Sequence, residues 1–498
     1  MEALDWLVIG VFFLALIGII VWVVRQKQND SADYFLGGRD ATWLAIGASI
    51  FASNIGSEHL IGLAGAGASS GMAMAHWEIQ GWMILILGWV FVPFYTRSMV
   101  YTMPEFLERR YNPQSRTILS VISLVSYVLT KVAVTVYAGG LVFQQVFGIK
   151  ELWGIDFFWI AAIGLVVLTA LYTIFGGMKS VLYTSVLQTP ILLLGSLIIL
   201  VLGFKELGGW DEMMRVCGAV TVNDYGDTMT NLIRSNDDAN FPWLGALIGS
   251  AIIGFWYWCT DQFIVQRVLS GKNEMEARRG TIFGAYLKLL PVFLFLIPGM
   301  IAFALHQKYI GAGGEGFLPM LANGTANADA AFPTLVAKLL PAGVKGLVVC
   351  GILAALMSSL ASLFNSSAML FTIDFYKRFR PETPEKKLVG IGQVATVVIV
   401  ILGILWIPIM RSVGDVLYTY LQDVQSVLAP GIAAAFLLGI CWKRTSAQGG
   451  MWGLIAGMVI GLTRLGAKVY YSNAALATHR KLCYTVRCMR LFAPWRRG

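Results

Sequence analysis

Ionisable and strongly polar side chains interrupt several long apolar segments of this chain, and they are of types that bind small polar ligands. An ionisable group at the centre of a membrane helix costs about 2.5–3.5 kcal/mol on insertion scales, so each one is a candidate for function. The candidates are Glu58, His59, Glu78, Lys131, Asp261, Lys288, Gln422 and Asp423. For Lys131, a structural ion pair is an equally good interpretation.

Small and polar residues interrupt the stretch ASNIGSEHLIGLAGAG at residues 52–67. Backbone leaves helical geometry at membrane depth only where protein or a water-filled cavity satisfies its freed N–H and C=O groups. Since His59 lies beside Glu58 at this interruption, we expect it to contact a ligand rather than to be a buried structural histidine. Residues 249–262, GSAIIGFWYWCTDQ, predict a second broken helix, which contains Tyr257 and Trp258.

Aromatic side chains accompany these polar groups. Glu78 directly follows Trp77, and Tyr257 and Trp258 lie on the second broken helix. Aromatic rings can cover the C–H faces of a ligand while charged side chains form strong hydrogen bonds to its hydroxyl groups. The combination predicts a neutral polyhydroxyl ligand. For Trp258, a position in the aromatic belt at the membrane interface is the alternative.

Serine residues recur in AALMSSLASLFNS at residues 354–366, where Ser358, Ser362 and Ser366 share one helix face. Small residues at this spacing also serve close helix packing, and that interpretation has equal weight. The adjacent pair Ser358 and Ser359 is less easily explained by packing. Sodium is a hard cation that prefers oxygen ligands, which unwound backbone carbonyls and facing serine hydroxyls provide. The pattern therefore predicts a sodium site.

Composition places these residues in a polytopic membrane protein. The chain is 57% hydrophobic and 13% charged, roughly half the charge of a soluble globular protein, and its mean hydropathy is +0.70. Twelve spans are predicted, at 6–24, 43–67, 75–98, 117–148, 156–175, 180–204, 243–266, 280–306, 344–372, 388–411, 417–440 and 449–468. Omitting the first, the next ten form two groups of five of opposite orientation, which is typical of an inverted repeat. We expect one transmembrane domain at 1–469 with repeats at about 43–204 and 243–440.

The basic residues follow the topology rather than a nucleic-acid-binding face. The net charge is +9, and with an external N-terminus the internal loops hold nineteen Lys and Arg residues against eight outside. This bias is typical of the positive-inside rule, so we expect a multi-pass protein of the plasma or inner membrane, no nucleic-acid partner and an N-terminus outside. The basic tail at 470–498 cannot span a bilayer. It is interpreted as an anionic-lipid-binding tail or the product of a truncation or altered reading frame.

Several ordered motifs resemble the sodium/glucose cotransporters of the solute:sodium symporter family. They are DYFLGG at 33–38, ASIFASNIGS at 48–57, YTMPEF at 101–106, WYWCTDQ at 256–262, YLKL at 286–289, MSSLASLFNS at 357–366 and FLLGICWK at 436–443. The resemblance implies an all-α, leucine-transporter-like fold with a five-plus-five inverted repeat and one extra N-terminal helix. It also implies sodium-driven sugar import by alternating access, with no enzymatic activity.

The resemblance also implies roles for individual residues of this sequence. Sugar contacts would be His59, Glu78, Tyr257, Trp258, Lys288 and Gln422; gate residues would be Asn54, Leu63, Trp77, Tyr257 and Tyr418; sodium would be held by carbonyls of Ala52, Ile55 and Ala355 and hydroxyls of Ser358 and Ser359. Gly81 and Gly254 depart from the family, since some members have a polar sugar contact there. Ser185 replaces an aspartate found on the ion exit route of many members.

Two alternatives remain open at the level of the sequence. A sodium symporter of the same fold could transport inositol, sialic acid, a carboxylate or an amino acid instead of a hexose. A channel or nutrient sensor would share the fold without concentrating its solute. Glu78, Lys288 and Gln422 favour a polyol over a zwitterion.

Overall fold

The structure is a computed structural model in which residues 1–26, 28, 30–56, 58–238, 240–321, 324–413 and 417–467 are described. The side chains of residues 145, 409–413 and 417–423 lie outside that description, as does the whole tail at 470–498.

Helices make up nearly all of the described chain. The first half contains α1 (Ala3–Val24), α2 (Ser31–Leu36), α3 (Trp43–Asn54), α4 (Ala64–Ser70), α5 (Ala75–Ile79), α6 (Met83–Ile86), α7 (Val92–Ser98), α8 (Met103–Arg110), α9 (Pro113–Ser126), α10 (Ala133–Phe147), α11 (Phe157–Leu207) and α12 (Trp210–Gly218). The second half contains α13 (Trp243–Gly254), α14 (Gln262–Leu269), α15 (Glu274–Leu287), α16 (Ile297–Gly311), α17 (Ala331–Leu339), α18 (Val344–Met369), α19 (Lys377–Phe379), α20 (Glu385–Val413), α21 (Leu417–Cys441) and α22 (Ala447–Ala467).

Shorter elements join these helices. Across the residues that the structure describes, six π-helical turns lie at Glu58–Leu63, Leu87–Phe91, Tyr127–Val132, Phe255–Thr260, Val292–Leu296 and Leu370–Tyr376. Turns of 3₁₀ helix lie at Gly37–Arg39, Gly71–Met74, Gln80–Trp82 and Ala328–Ala330. A two-stranded antiparallel hairpin, β1 (Glu151–Leu152) and β2 (Ile155–Asp156), pairs Glu151 with Asp156.

Within the described residues, ten helical runs are long and apolar enough to cross a membrane, against twelve predicted spans. The structure has two fewer runs than predicted spans because neighbouring spans join into one helical run at two places. α11 contains two predicted spans, separated at Gly177, whose φ of +52° interrupts the helix. A run from Glu58 to Ser98 also contains parts of two spans, separated at Gly71 with φ +73°.

Both predicted interruptions are breaks in the structure. α3 ends at Asn54, Ile55 is extended (φ −79°, ψ 105°), and a π-helical turn follows from Glu58. In the second stretch, the π-helical turn Phe255–Thr260 ends at Asp261, which is extended (φ −75°, ψ 128°) and precedes α14. Such π-helical turns are frequent at functional sites.

The interior of the bundle is organised around α18, whose residues are almost all buried and which packs along α11 and α3. The N-terminal helix α1 is fastened to it. Asp5 accepts hydrogen bonds from the Gly343 and Gly346 amides (2.7 and 2.8 Å) at the start of α18, where a carboxylate satisfies free N–H groups and the helix dipole. The outward faces expose large apolar side chains such as Leu7, Leu14 and Leu405, as expected for contact with lipid.

Small residues bring the segment after the first break against α16. A Cβ placed on Gly299 would lie well inside van der Waals contact of the Ala64 carbonyl oxygen, and one on Gly67 would meet the Leu296 carbonyl oxygen in the same way. Close approach of backbones at small residues is a principal means of helix association in membranes. The position of the broken helix therefore depends on these two glycines.

We predict that Gly299→Ala destabilises the protein although alanine is the better helix former. The added methyl group must push α4 away from α16, and overpacking of this kind costs about 1–3 kcal/mol. The matched control is Gly164→Ala in α11, where a Cβ would meet nothing within 4 Å. Thermal unfolding of the purified proteins in detergent should show a lower midpoint for Gly299→Ala alone; equal midpoints would contradict the packing argument.

Candidate functional site

Three buried ionisable side chains from distant parts of the sequence meet in one cluster. Lys288 Nζ lies 2.6 Å from Glu78 Oε2 and 2.9 Å from His59 Nε2, and His59 Nε2 lies 3.2 Å from Glu78 Oε1. Each residue is only 2–3% exposed. His59 comes from the turn after the first break, Glu78 from α5, and Lys288 directly follows α15. The cluster thus holds three elements together, and the carboxylate neutralises the ammonium group.

This cluster faces a cavity with a volume of about 40 Å³. Its lining consists of aromatic, amide and ionisable side chains, namely Asn54, Glu58, His59, Trp77, Glu78, Gln80, Tyr257, Trp258, Lys288 and Gln425. A volume of this size has room for a few water molecules, so a hexose-sized ligand requires the cavity to widen. Lys288 Nζ also lies 5.6 Å from the centre of the Trp258 ring.

Several polar atoms of the lining are buried without a hydrogen-bond partner among the described residues. They are Asn54 Oδ1, His59 Nδ1 and Gln80 Oε1. Leaving a buried polar atom unsatisfied costs about 1–3 kcal/mol, so such atoms are rare and mark places where a ligand or water completes the bonding. Three of them around one cavity favour a ligand rich in hydroxyl groups.

Three of the residues expected to gate the cavity, Asn54, Trp77 and Tyr257, line it. Asn54 Nδ2 donates to the Tyr257 hydroxyl group at 3.0 Å, which joins the ends of the two broken helices. The Tyr257 and Trp258 rings meet edge to face with centroids 4.9 Å apart. Trp77 lines the cavity and Leu63 is fully buried on the same turn as His59. Tyr418 and Gln422 were also predicted here, and their side chains lie outside the described residues.

Two of the residues expected to hold sodium, Ile55 and Ser359, meet just after α3 ends. Ser359 Oγ donates to the Ser53 carbonyl at 2.8 Å and to the Ile55 carbonyl at 3.2 Å. One hydroxyl and two freed carbonyls therefore converge, and this oxygen set suits a hard cation. Ala52, Ala355 and Ser358 are buried on the same two helices. Ser53 was not predicted as a ligand, although its carbonyl belongs to the same last turn as that of Ala52.

The three positions that depart from the family have distinct surroundings. A Cβ on Gly81 would lie 2.5 Å from Lys288 Cγ, and one on Gly254 would lie 2.8 Å from Gln80 Oε1. The two glycines thus leave room for Lys288 and Gln80 to reach the cavity. Ser185 Oγ donates to the Val181 carbonyl at 2.6 Å and lies 3.3 Å from Ser358 Oγ.

Lys131 and Asp261 form a separate buried ion pair rather than part of the cavity lining. Lys131 Nζ lies 2.7 Å from Asp261 Oδ2, and the Tyr127 hydroxyl donates to Asp261 Oδ1. Asp261 also accepts from the Phe263 amide at 3.2 Å and so caps α14. The structural interpretation of Lys131 is therefore the one that the geometry favours.

Two lining residues, Gln80 and Gln425, were missed by the sequence reasoning. Gln425 lies three residues after Gln422 in α21, and residues at this spacing share one helix face. That spacing could have identified it. Gln80 comes two residues after Glu78, on the turn Gln80–Trp82, where the sequence carries no comparable periodic signal.

Comparison with known proteins decides the family of this chain. The model of the sodium:solute symporter family matches residues 34–457. The chain belongs to this family. It is 38% identical to the sodium/myo-inositol cotransporter 2 of Homo sapiens over 93% of this chain and 70% of that protein. It is 37% identical to the sodium/glucose cotransporter 4 of Danio rerio over 95% of this chain and 73% of that protein.

Solved structures confirm the fold class. A substrate-bound, outward-open Na⁺-coupled sialic acid symporter superposes with a TM-score of 0.76 at 22% identity, covering 93% of this chain and 98% of that one. MhsT in complex with L-phenylalanine gives a TM-score of 0.53 at 11% identity, over 85% and 98% of the two chains. The leucine-transporter-like fold predicted from the resemblance is confirmed. The chain is a multi-pass, sodium-coupled solute symporter and not an enzyme.

We predict that Lys131→Met strongly destabilises this symporter, because it leaves the Asp261 carboxylate buried without its cation. Removing one partner of a buried pair costs about 3–5 kcal/mol. The double variant Lys131→Met/Asp261→Asn should recover much of the loss, since asparagine is neutral and still caps a helix. Unfolding midpoints of the two single variants and the double variant measure the coupling. Additive losses would show that the two residues are independent.

Proposed function

We propose that this symporter drives the uptake of a neutral polyol with sodium, the polyol being a hexose such as glucose or galactose or a cyclitol such as inositol. The observation that carries this proposal is the cavity that combines a neutralised Glu78–Lys288 pair with aromatic rings and unpartnered polar atoms. The relatives named for myo-inositol and for glucose support the same ligand class.

Each side chain of the cluster has a role in this proposal. Glu78 accepts hydrogen bonds from substrate hydroxyl groups, and Lys288 donates to them. Because these partners already bond each other at 2.6 Å, a polyol can take over part of their bonding without leaving a bare charge. Tyr257 and Trp258 cover the C–H face of the ring. Gln422 remains a proposed sugar contact on α21.

Sodium is proposed to bind across the first break, between the freed carbonyls of Ser53 and Ile55 and the hydroxyls of Ser358 and Ser359. The turn that follows the break carries His59 into the cavity. Sodium and the polyol would therefore bind to consecutive turns of the same broken helix. An ion that fixes this segment against α18 also fixes His59 relative to Glu78, and such coupling must be reciprocal between the two ligands.

The energy available from one sodium ion is sufficient for concentration of the polyol. A tenfold sodium gradient supplies about 1.4 kcal/mol, and one charge crossing 100 mV supplies about 2.3 kcal/mol. Together these give about 3.7 kcal/mol, which supports an accumulation of several hundredfold.

The proposal includes an N-terminus outside the cell and a location in the plasma or inner membrane. It also includes inverted repeats at about 43–204 and 243–440. The direction of uptake follows from the same orientation.

We predict sodium-dependent accumulation of glucose, galactose or myo-inositol in proteoliposomes, and its loss when choline replaces sodium. Lys288→Met should raise the KM of the transported polyol by roughly ten- to a hundredfold, since a hydrogen bond to a charged group is worth about 1.5–3 kcal/mol. Lys272→Met changes an exposed lysine and is the matched control.

Equal uptake in sodium and in choline would show that polyol transport is not coupled to sodium. If the protein took up an acid or an amino acid with sodium but transported none of the three polyols, the proposal that its substrate is a neutral polyol would be wrong. Equal KM values for the Lys288 and Lys272 variants would remove Lys288 from the binding site.

A further inference from the structure

Glu58 lines the cavity and belongs to neither of the two buried ion pairs described above. It is partly buried and faces the cavity next to His59. Within the described part of the chain, its carboxylate forms no hydrogen bond and no ion pair. A carboxylate at this depth is costly unless something bonds it.

The two lysines that interact electrostatically with Glu58 are already paired with other carboxylates. Lys288 Nζ is bound to Glu78 at 2.6 Å, and Lys131 Nζ is bound to Asp261 at 2.7 Å. Among the described residues of the lining, the carboxylates are Glu58 and Glu78 and the ammonium group is Lys288, so Glu58 is the carboxylate without a bonded cation. This carboxylate lies where the substrate is proposed to bind.

The other unsatisfied groups of the cavity indicate what would bond to Glu58. Within the described residues, Asn54 Oδ1 and Gln80 Oε1 are also acceptors without a donor. A polyol has a donor on each hydroxyl group and no net charge, so it can satisfy all three acceptors. A sugar acid would bring its own carboxylate toward that of Glu58, and like charges at close range repel.

We propose that Glu58 is a substrate-contacting residue that accepts hydrogen bonds from hydroxyl groups of the polyol and excludes sugar acids from the cavity. This inference rests on the proposed function, because it assigns specificity to the same site. It makes Glu58 the residue of this chain that separates neutral polyols from acidic substrates.

A rival role for Glu58 is attraction of the sodium ion. A Cβ placed on Gly56 would lie 3.1 Å from Ser359 Oγ and 3.8 Å from Glu58 Cδ, so the carboxylate is near the serine that faces the break. Substrate and ion effects must therefore be measured separately, and substrate KM has to be measured at saturating sodium.

The experiment compares wild type, Glu58→Gln, Glu58→Asp and the control Glu382→Gln, which changes an exposed glutamate. The probes are the polyol that wild type transports and glucuronate as a competing sugar acid. Glu58→Gln should raise the polyol KM by about tenfold or more, as expected when a charged acceptor is lost, and glucuronate should now inhibit uptake. Glu58→Asp keeps the charge on a shorter side chain, so it should raise KM while glucuronate still fails to inhibit.

Each outcome decides between the claims. If wild type carries no polyol, the proposed function itself fails. If wild type carries one and Glu58→Gln keeps both its KM and its exclusion of glucuronate, the assignment of Glu58 is overturned while the proposed function stands. A change confined to the half-saturating sodium concentration also overturns it, in favour of the ion role. If Glu58→Gln does not fold, the test uses Glu58→Asp instead. An unchanged polyol KM in that variant would show that Glu58 does not contact the polyol.

Discussion

A helix broken inside a bilayer must find partners for its freed backbone carbonyls, and the structure here depends on how that requirement is met. The carbonyls of Ser53 and Ile55 both accept from the Ser359 hydroxyl on α18. This contact joins the end of α3 to α18, a long helix that is almost wholly buried, and it sets where the next turn begins. The oxygens that satisfy the break are also of the kind that suits a hard cation, so the structural need and the proposed ion site coincide.

The second constraint is the burial of charge, and it explains why the site is assembled from distant segments. Glu78 and Lys288 are each about 3% exposed or less, and each makes the burial of the other tolerable. Lys131 and Asp261 neutralise each other in the same way beside the second break. Because one pair lines the cavity and the other does not, the first can exchange partners with a ligand while the second fastens α14 to the bundle. Glu58 belongs to neither pair, and this is why we propose that the substrate bonds to it.

The sequence predicts the breaks and most of the charged residues for a physical reason: polar and small residues inside apolar segments are costly in a membrane and therefore stand out. His59, Glu78 and Lys288 were identified in this way. Which charge pairs with which could not be predicted, since Lys288 and Glu78 are 210 residues apart and nothing local specifies their contact. The Ser53 carbonyl and Gln80 were missed because a backbone oxygen and a single amide leave no pattern. The sequence also separated two spans within α11, where the structure has one continuous run interrupted only at Gly177.

The central claim is that sodium at the first break and a polyol in the adjoining cavity stabilise each other's binding. It is tested most directly by equilibrium binding of the transported polyol to purified protein in saturating sodium and in choline, with and without Ser359→Ala. The account predicts an affinity at least about fivefold higher in sodium, an equal effect of the polyol on sodium affinity, and loss of both in the variant. A polyol affinity that is the same in sodium and choline would contradict it.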